Sequence, residues 1–325
     1  IFENNRVERG GVVYYSHTNS QTGNYDYDFT NCTFKNNLGR FATVFYGENP
    51  RTSATLTSTF INCSFHDNVV ADLSSSNAGT NTLFWFRTDV TTTHEAVFIN
   101  STIANNSLNA TSSTVAGVVS ISRSGGNANL EMYNTVIWDN MLTNGNEQTS
   151  IHTFGTQTAP NSVTVANSLA PDGFSNWTNT TNIATTNPMF TDIAANNYTP
   201  MATSPATDTG DNSFFPSSIL EDINGNARIV GGTIDMGAYE FDPTLSTEEV
   251  TVTPLDFTIY PNPAKATLHV QTTENIQTVS IFDMTGKQVL TTNETKIDVR
   301  RLQSGMYIIQ VTSNQKNSTK RFIKQ

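Results

Sequence analysis

The nine residues FINCSFHDN, at 60–68, have a near-copy, FTNCTFKNN, at 29–37. A third version, FINSTIANN, stands at 98–106, and a looser one, MYNTVIWDN, at 132–140. Written as apolar-x-Asn-small-x-apolar-x-x-Asn, the phrase places its first Asn at Asn31, Asn62, Asn100, Asn134 and Asn167, in steps of 31, 38, 34 and 33. Its second Asn falls at Asn5, Asn37, Asn68, Asn106 and Asn140, and Gly173 replaces it in the last copy. The flanking apolar positions are Phe29, Phe60, Phe98, Met132 and Val165, then Phe34, Phe65, Ile103, Ile137 and Leu169. A unit recurring every 20 to 50 residues or so marks a stacked array. None of these segments carries the 3.6-residue apolar period of a helix.

A second β-rich element follows each phrase: GGVVYY (10–15), FATVFY (41–46), TLFWF (82–86), GVVSIS (117–122) and IHTF (151–154). Two or three short strands per repeat, with turns between, describe one coil of a parallel β-helix, in which like positions form ladders about 4.8 Å apart. Asn suits the corner of such a coil, because it tolerates left-handed backbone and its amide can hydrogen-bond from coil to coil. Aligning the second elements on their final aromatics gives a core ladder of Tyr15, Tyr46, Phe86, Ile121 and Phe154. The neighbouring ladder, Tyr14, Phe45, Trp85, Ser120 and Thr153, then points outward by strand alternation. Tyr14, Phe45 and Trp85 are the candidate ligand strip, suited to sugar rings or a partner protein.

Charged residues make up only 14% of the chain, so its polar surface must be built largely from Asn, Thr and Ser. That composition suits turn-rich β-structure. A net charge of −11 leaves no basic patch to track phosphates and disfavours nucleic acid. No run of about 18 apolar residues is present to span a bilayer as a helix. The opening IFENN resembles the end of the repeated phrase, so the chain is expected to be the C-terminal part of a longer β-helix lacking its first coils.

Residues 204–241, SPATDTGDNSFFPSSILEDINGNARIVGGTIDMGAYEF, carry the pattern DxxGNxR…DxGAYE. This resembles the closing segment of right-handed parallel β-helix surface proteins with interchangeable C-terminal anchors, and it implies a cap on the β-helix. Asp208, Asp211, Asp222 and Asp235 are candidate ligands for calcium, a hard cation that takes six to eight oxygens. Without EF-hand spacing, the more economical expectation is that they cap turns and pair with Arg228.

After a Thr-, Glu- and Pro-rich linker at 243–256 the composition changes. FTIYPNPAKATLHV, VSIFDMTGKQVL, IDVRRLQSGMYIIQV and the basic end KRFIKQ alternate in the manner of a small antiparallel immunoglobulin-like sandwich. Gly286 and Gly305 supply the turns. Residues 257–325 resemble the C-terminal sorting domain (type A) of type IX secretion cargo of Bacteroidota. The matching positions are Tyr260, Pro261, Asn262, Pro263, Leu268, Asp283, Gly286, Val289, Leu302, Gly305, Tyr307, Lys320, Arg321 and Lys324. The resemblance implies export across both membranes to the cell surface or medium. It also implies recognition by the type IX translocon and its outer-membrane shuttle barrel, and removal by a sortase-like cysteine protease. Since the address is still attached, this chain is expected to be a precursor or secretion intermediate.

The passenger, 1–242, is expected to be an adhesin or glycan-binding stalk. A polysaccharide lyase or glycoside hydrolase, with its site in the missing coils or on the outward strip, is the alternative. A glycosidase needs two carboxylates about one bond, and a lyase a base beside a cation or Arg. Asp67, Asp139, Lys35, Arg40 and His66 are scattered along the rungs, and His17, His66, His94, His152 and His269 share no metal-ligand spacing. Cys32 and Cys63 share one rung position, taken by Ser101, Thr135 and Ser168 elsewhere. Two packed thiols or a disulfide between adjacent coils both fit that spacing.

Overall fold

The computed structural model describes residues 1–7, 10–16, 23–39, 42–49, 55–71, 82–88, 92–108, 117–123, 126–142, 150–154, 162–244, 255–313 and 316–325. Most of the 243–256 linker, His17, Arg40, the loop at 74–81 and most of that at 48–55 lie outside the described residues, as do the side chains of residues 152–154. The chain divides into two compact units, Ile1–Pro243 and Thr244–Gln325.

The first unit is a parallel β-solenoid whose complete coils have four faces. A long face stacks Asn24–Thr30, Thr55–Ile61, Thr93–Ile99, Asn127–Tyr133 and Ser162–Leu169 in parallel. A second face stacks Phe2–Glu3, Thr33–Lys35, Ser64–His66, Thr102–Ala104 and Val136–Trp138. A short face runs from Arg6–Val7 to Met141–Leu142, and a fourth from Val13–Ser16 to Ile151–Phe154. FINCSFHDN is thus the end of a long strand, a corner, a three-residue strand and a second corner. Both corners need left-handed backbone, with Asn62 at φ 54° and Asp67 at φ 55°. Asn31, Asn100, Asn134 and Asn167 repeat the first corner, and Asn4, Asn36, Asn105 and Asp139 the second. Residues whose short polar side chains ease that conformation are the ones the repeat retains.

The second Asn of the phrase does different work. It follows the left-handed residue, and its amide hands a hydrogen bond to the next coil: Asn5 to Asn37 at 2.9 Å, Asn37 to Asn68 at 2.9 Å, Asn68 to Asn106 at 3.0 Å and Asn106 to Asn140 at 2.7 Å. The backbone N–H of each donor residue reaches the same acceptor oxygen. From Asn37 to Asn140 the column is buried, and Asn140 ends it by donating to the Ile103 and Trp138 carbonyls.

Inside the coils Phe60 stacks between Phe29 and Phe98 at 5.2 and 4.8 Å, and Phe34 stacks on Phe65 at 5.1 Å. Each such pair adds about 0.5–1.5 kcal/mol to the burial of its rings. Phe174, 1% exposed, and Trp177 join the same interior cluster at the last coil. The ladder is one residue off there. Leu169 pairs with Val136 rather than Ile137, so it faces away from this interior and Ala170 takes the core place.

Residues 204–241 do more than close an end. They run as a brace along the second face, bonded to four successive coils. Tyr239 meets Ser64 at 2.8 Å, the Ala238 N–H donates to Thr102 Oγ1 at 2.9 Å, and the Gly237 N–H donates to the Asn134 carbonyl at 2.7 Å. The first-corner amides read the brace backbone: Asn62 donates to the Glu221 carbonyl, Asn100 to Asp235, Asn134 to Asp211 and Asn167 to Thr209. Beneath it Ala104, Val136, Leu169, Tyr198, Met236 and Ala238 form a second apolar cluster.

The second unit packs two antiparallel sheets. One contains Thr258–Tyr260, Thr267–Gln271 and Lys296–Asp298; the other orders Gln288–Thr292, Thr278–Phe282, Gly305–Ser313 and Lys316–Lys324. Phe257, Leu268, Val279, Ile281, Ile297, Ile309, Val311 and Phe322 fill the space between. Among the described residues no helix is long and apolar enough to cross a membrane.

Candidate functional site: the aromatic face, the brace and the sorting domain

On the fourth face Tyr14 pairs with Tyr46, Tyr46 with Trp85, and Trp85 with Ser120. The outward ladder is therefore Tyr14, Tyr46 and Trp85. Phe45, expected in it, is fully buried and pairs with Val13 and Phe84. Alignment on final aromatics slipped this strand by one residue, which exchanges its two faces. Gly47, not Tyr46, lies in register with Tyr15 and Phe86. A Cβ on Gly47 would stand 2.5 Å from the Tyr15 hydroxyl and 2.6 Å from His94 Cε1, so the missing side chain admits Tyr15 to the interior.

The outward rings lie against one another, Tyr14 to Tyr46 at 5.2 Å and 31°, Tyr46 to Trp85 at 4.8 Å and 19°. The strip is thus a ridge of contacting rings rather than three separate platforms. Tyr14, half exposed, forms its open end. Beside the ridge Arg87 donates to Glu48 at 2.7 Å and Trp85 Nε1 to Ser122 at 2.8 Å. Burial raises the Tyr46 phenol to about 12, so it is a neutral donor at ordinary pH.

The structure does not bring the four brace aspartates together around one point; it sets them at turns. Asp222 accepts the N–H groups of Asn224, Asn226 and Glu240, and Asp235 those of Asp208 and Phe241. Asp211 caps the short turn at Ser213. Arg228, 1% exposed, donates to the Asp235 and Gly237 carbonyls at 3.0 and 2.7 Å and lies over the Phe215 ring. Its carboxylate neighbour is Glu240 at 3.8 Å, a residue that sequence reasoning passed over as part of GAYE. Burial raises the Glu240 carboxyl to about 8 and that of Asp235 to about 6.

Cys32 and Cys63 are both free thiols on consecutive coils. A hydrogen bond from Cys63 lowers the Cys32 thiol to about 6, while burial holds Cys63 well above its ordinary value. His66 meets Asp67 at 2.6 Å and the Tyr198 ring at 4.8 Å under the brace. His94 is enclosed in the solenoid, its Nε2 bonded to the Tyr15 and Ser58 hydroxyls at 2.8 and 3.0 Å. His269 stacks on Tyr260 in the second unit. On the long face, Glu95, Ala96, Val97, Asn129 and Glu131 line a pocket of about 90 Å³. Neither Glu belonged to the repeated phrase; Glu95 pairs with Asn129 and Glu131 with Val97, so the two stand diagonally on adjacent strands, and alternation along the long strands was the signal that they share a face.

In the second unit most of the resemblance residues build the fold. Leu268 is fully buried, Leu302 packs on the core, and Tyr307 is 8% exposed with its hydroxyl donating to the Gln303 carbonyl. Asp283 accepts from Thr285 and Lys287 across a hairpin where Gly286 has φ 85°, and Gly305 opens the central strand. The Tyr260–Pro263 segment clasps the last strand: Asn262 donates to the Arg321 carbonyl and accepts the Ile323 N–H, and the Ala264 N–H reaches the Ile323 carbonyl at 2.8 Å. Val289, Lys320 and Arg321 remain exposed, whereas Lys324 is 7% exposed.

Residues 258–325 match a family described as the secretion system C-terminal sorting domain. No curated protein matches the chain. The chain carries a type IX sorting signal behind a β-solenoid, and that signal directs export to the cell surface or extracellular space through the type IX machinery.

Proposed function

We propose that the exported solenoid is a glycan-binding module of the cell surface, an adhesin in which the Tyr14–Tyr46–Trp85 ridge engages polysaccharide. The contacting rings beside the Glu48–Arg87 pair support this reading, because they join an apolar ridge to fixed polar groups. The test is Trp85 fluorescence of the purified chain titrated with a polysaccharide panel. A Tyr46→Ala chain is expected to lose at least tenfold in affinity for any glycan that shifts the parent's emission. Emission unmoved by every glycan, or equal affinity in Tyr46→Ala, sinks the reading. The shuttle barrel and the sortase-like protease are the partners we assign to the second unit within the type IX machinery.

A polysaccharide hydrolase is the second reading. It is favoured by the pocket in which Glu95 and Glu131 come from adjacent coils, since two carboxylates flanking one glycosidic bond are what that chemistry requires. Release of reducing sugar by the parent, abolished in Glu131→Gln, would establish it in place of the adhesin.

A further inference from the structure

Most of the sorting residues described above are consumed in making the domain fold, with Tyr260, Val289, Lys320 and Arg321 among those left exposed. What the fold leaves on its surface is more informative. The outer face of the four-stranded sheet changes character along its length. At one end the rows are Ser280, Gln310 and Thr319, then Thr278 and Thr312, the polar residues expected of a solvated sheet face. At the other end Met306 pairs with Ile323, and Phe282 with Ile308, which in turn pairs with Arg321. Met306 is 44% and Ile323 46% exposed, and Met284 stands open on the adjoining hairpin at 60%. An apolar patch concentrated at one end of a small sheet is a mark of an interaction surface.

Two further observations narrow the mode and the partner. The edge of the last strand beside this patch is already occupied by Asn262 and Ala264, so strand addition there is blocked and the face itself is what remains. Exposed Arg321 stands in the rows of the patch and exposed Lys287 on the adjoining hairpin, in a domain with nine Lys and Arg against four Asp and Glu over residues 257–325, net +5. Residues 1–256 hold the remaining eight basic and 24 acidic residues, net −16. The positive charge is thus segregated onto the sorting domain.

We propose that the Phe282, Met306, Ile308 and Ile323 patch, with Arg321 at its rim, docks into an acidic-rimmed apolar recess on a protein of the type IX machinery. This inference rests on the reading of residues 258–325 as a sorting domain. The machinery reads the patch, and the motif residues that build the sandwich hold that patch in place.

The full chain, expressed in cells with type IX secretion, provides the test. Met306→Glu/Ile323→Glu is expected to cut the exported fraction at least tenfold, while Gln310→Glu/Thr319→Glu, on the polar rows of the same face, exports like the parent. Thermal unfolding of each purified chain checks that the second unit is intact. If the glutamate pair does not fold, Met306→Thr/Ile323→Thr takes its place with the same expectation. Arg321→Glu alone is expected to lower export about tenfold, and parental export of that chain removes the acidic rim. Export of the folded patch variant at the parental level overturns the docking surface. A chain lacking 258–325 separates the two readings: if it is still exported, the sorting assignment falls, and if it is retained while the patch variant exports, only the patch falls.

Discussion

Asn106 stands in the middle of the polar column, accepting from Asn68 and donating to Asn140 and to the Phe65 and Ala104 carbonyls. Asn106→Asp keeps the shape and removes the donors, leaving carbonyls facing a carboxylate. With unmet buried groups costing about 1–3 kcal/mol each, the variant is expected to lose roughly 2–4 kcal/mol at pH 7, measurable by urea denaturation. His94 gives the solenoid a pH dependence. Burial lowers its folded pKa from 6.5 to about 3, so between these values the unfolded chain binds the extra proton. Its contribution is present in full above pH 6.5 and is lost as pH falls toward 3. At pH 4.5 the expected loss is about 2–3 kcal/mol, at about 1.4 kcal/mol per pH unit. His94→Gln should flatten that slope in denaturation midpoints taken between pH 7 and 4.5.

At the scale of the element, the brace depends on one close approach. Gly237 has φ 96°, and a Cβ there would lie 2.7 Å from Thr102 Oγ1, the acceptor of the Ala238 N–H. Gly237→Ala is expected to lift the brace, exposing 204–241 to limited proteolysis while the coils persist. The brace also shows where sequence reading stops. The rungs were legible because each copy of the phrase meets its own likeness in the next coil, Phe29 beside Phe60 beside Phe98. The closing segment meets residues that do not resemble it, through backbone carbonyls that every residue possesses, so no pattern announces that Glu221 lies beside Asn62. The aromatic face failed for a narrower reason. GGVVYY and FATVFY both end in an aromatic pair, and the true register rests on Gly47, whose meaning appears only once Tyr15 and His94 are seen to fill its place.

At the scale of the molecule, the two units have separate cores, one running through Phe60 and Phe98 and the other through Leu268 and Ile309. Cores that share no residues are expected to melt separately. Calorimetry of the full chain should show two transitions, and removal of residues 258–325 should abolish one while leaving the other unmoved. A single transition that shifts on truncation would show that the units fold as one. The alternating sorting domain was legible almost throughout, but its motif named the residues that build the sandwich, and the exposed Met306–Ile323 row became visible only when strand pairing set it on one face.

The brace also bears on how such a protein can change over evolutionary time. Each Asn of the polar column passes its hydrogen bond onward in the same direction, so a duplicated coil would bring its own donor and acceptor and seat itself without altering its neighbours. The brace permits no such freedom among the coils it spans, because it matches four particular corners, at Asn62, Asn100, Asn134 and Asn167. Growth by gene duplication is therefore confined to the side before Asn62. The solenoid can thus be lengthened in whole coils ahead of Asn62 without redesigning the segment that braces its last ones.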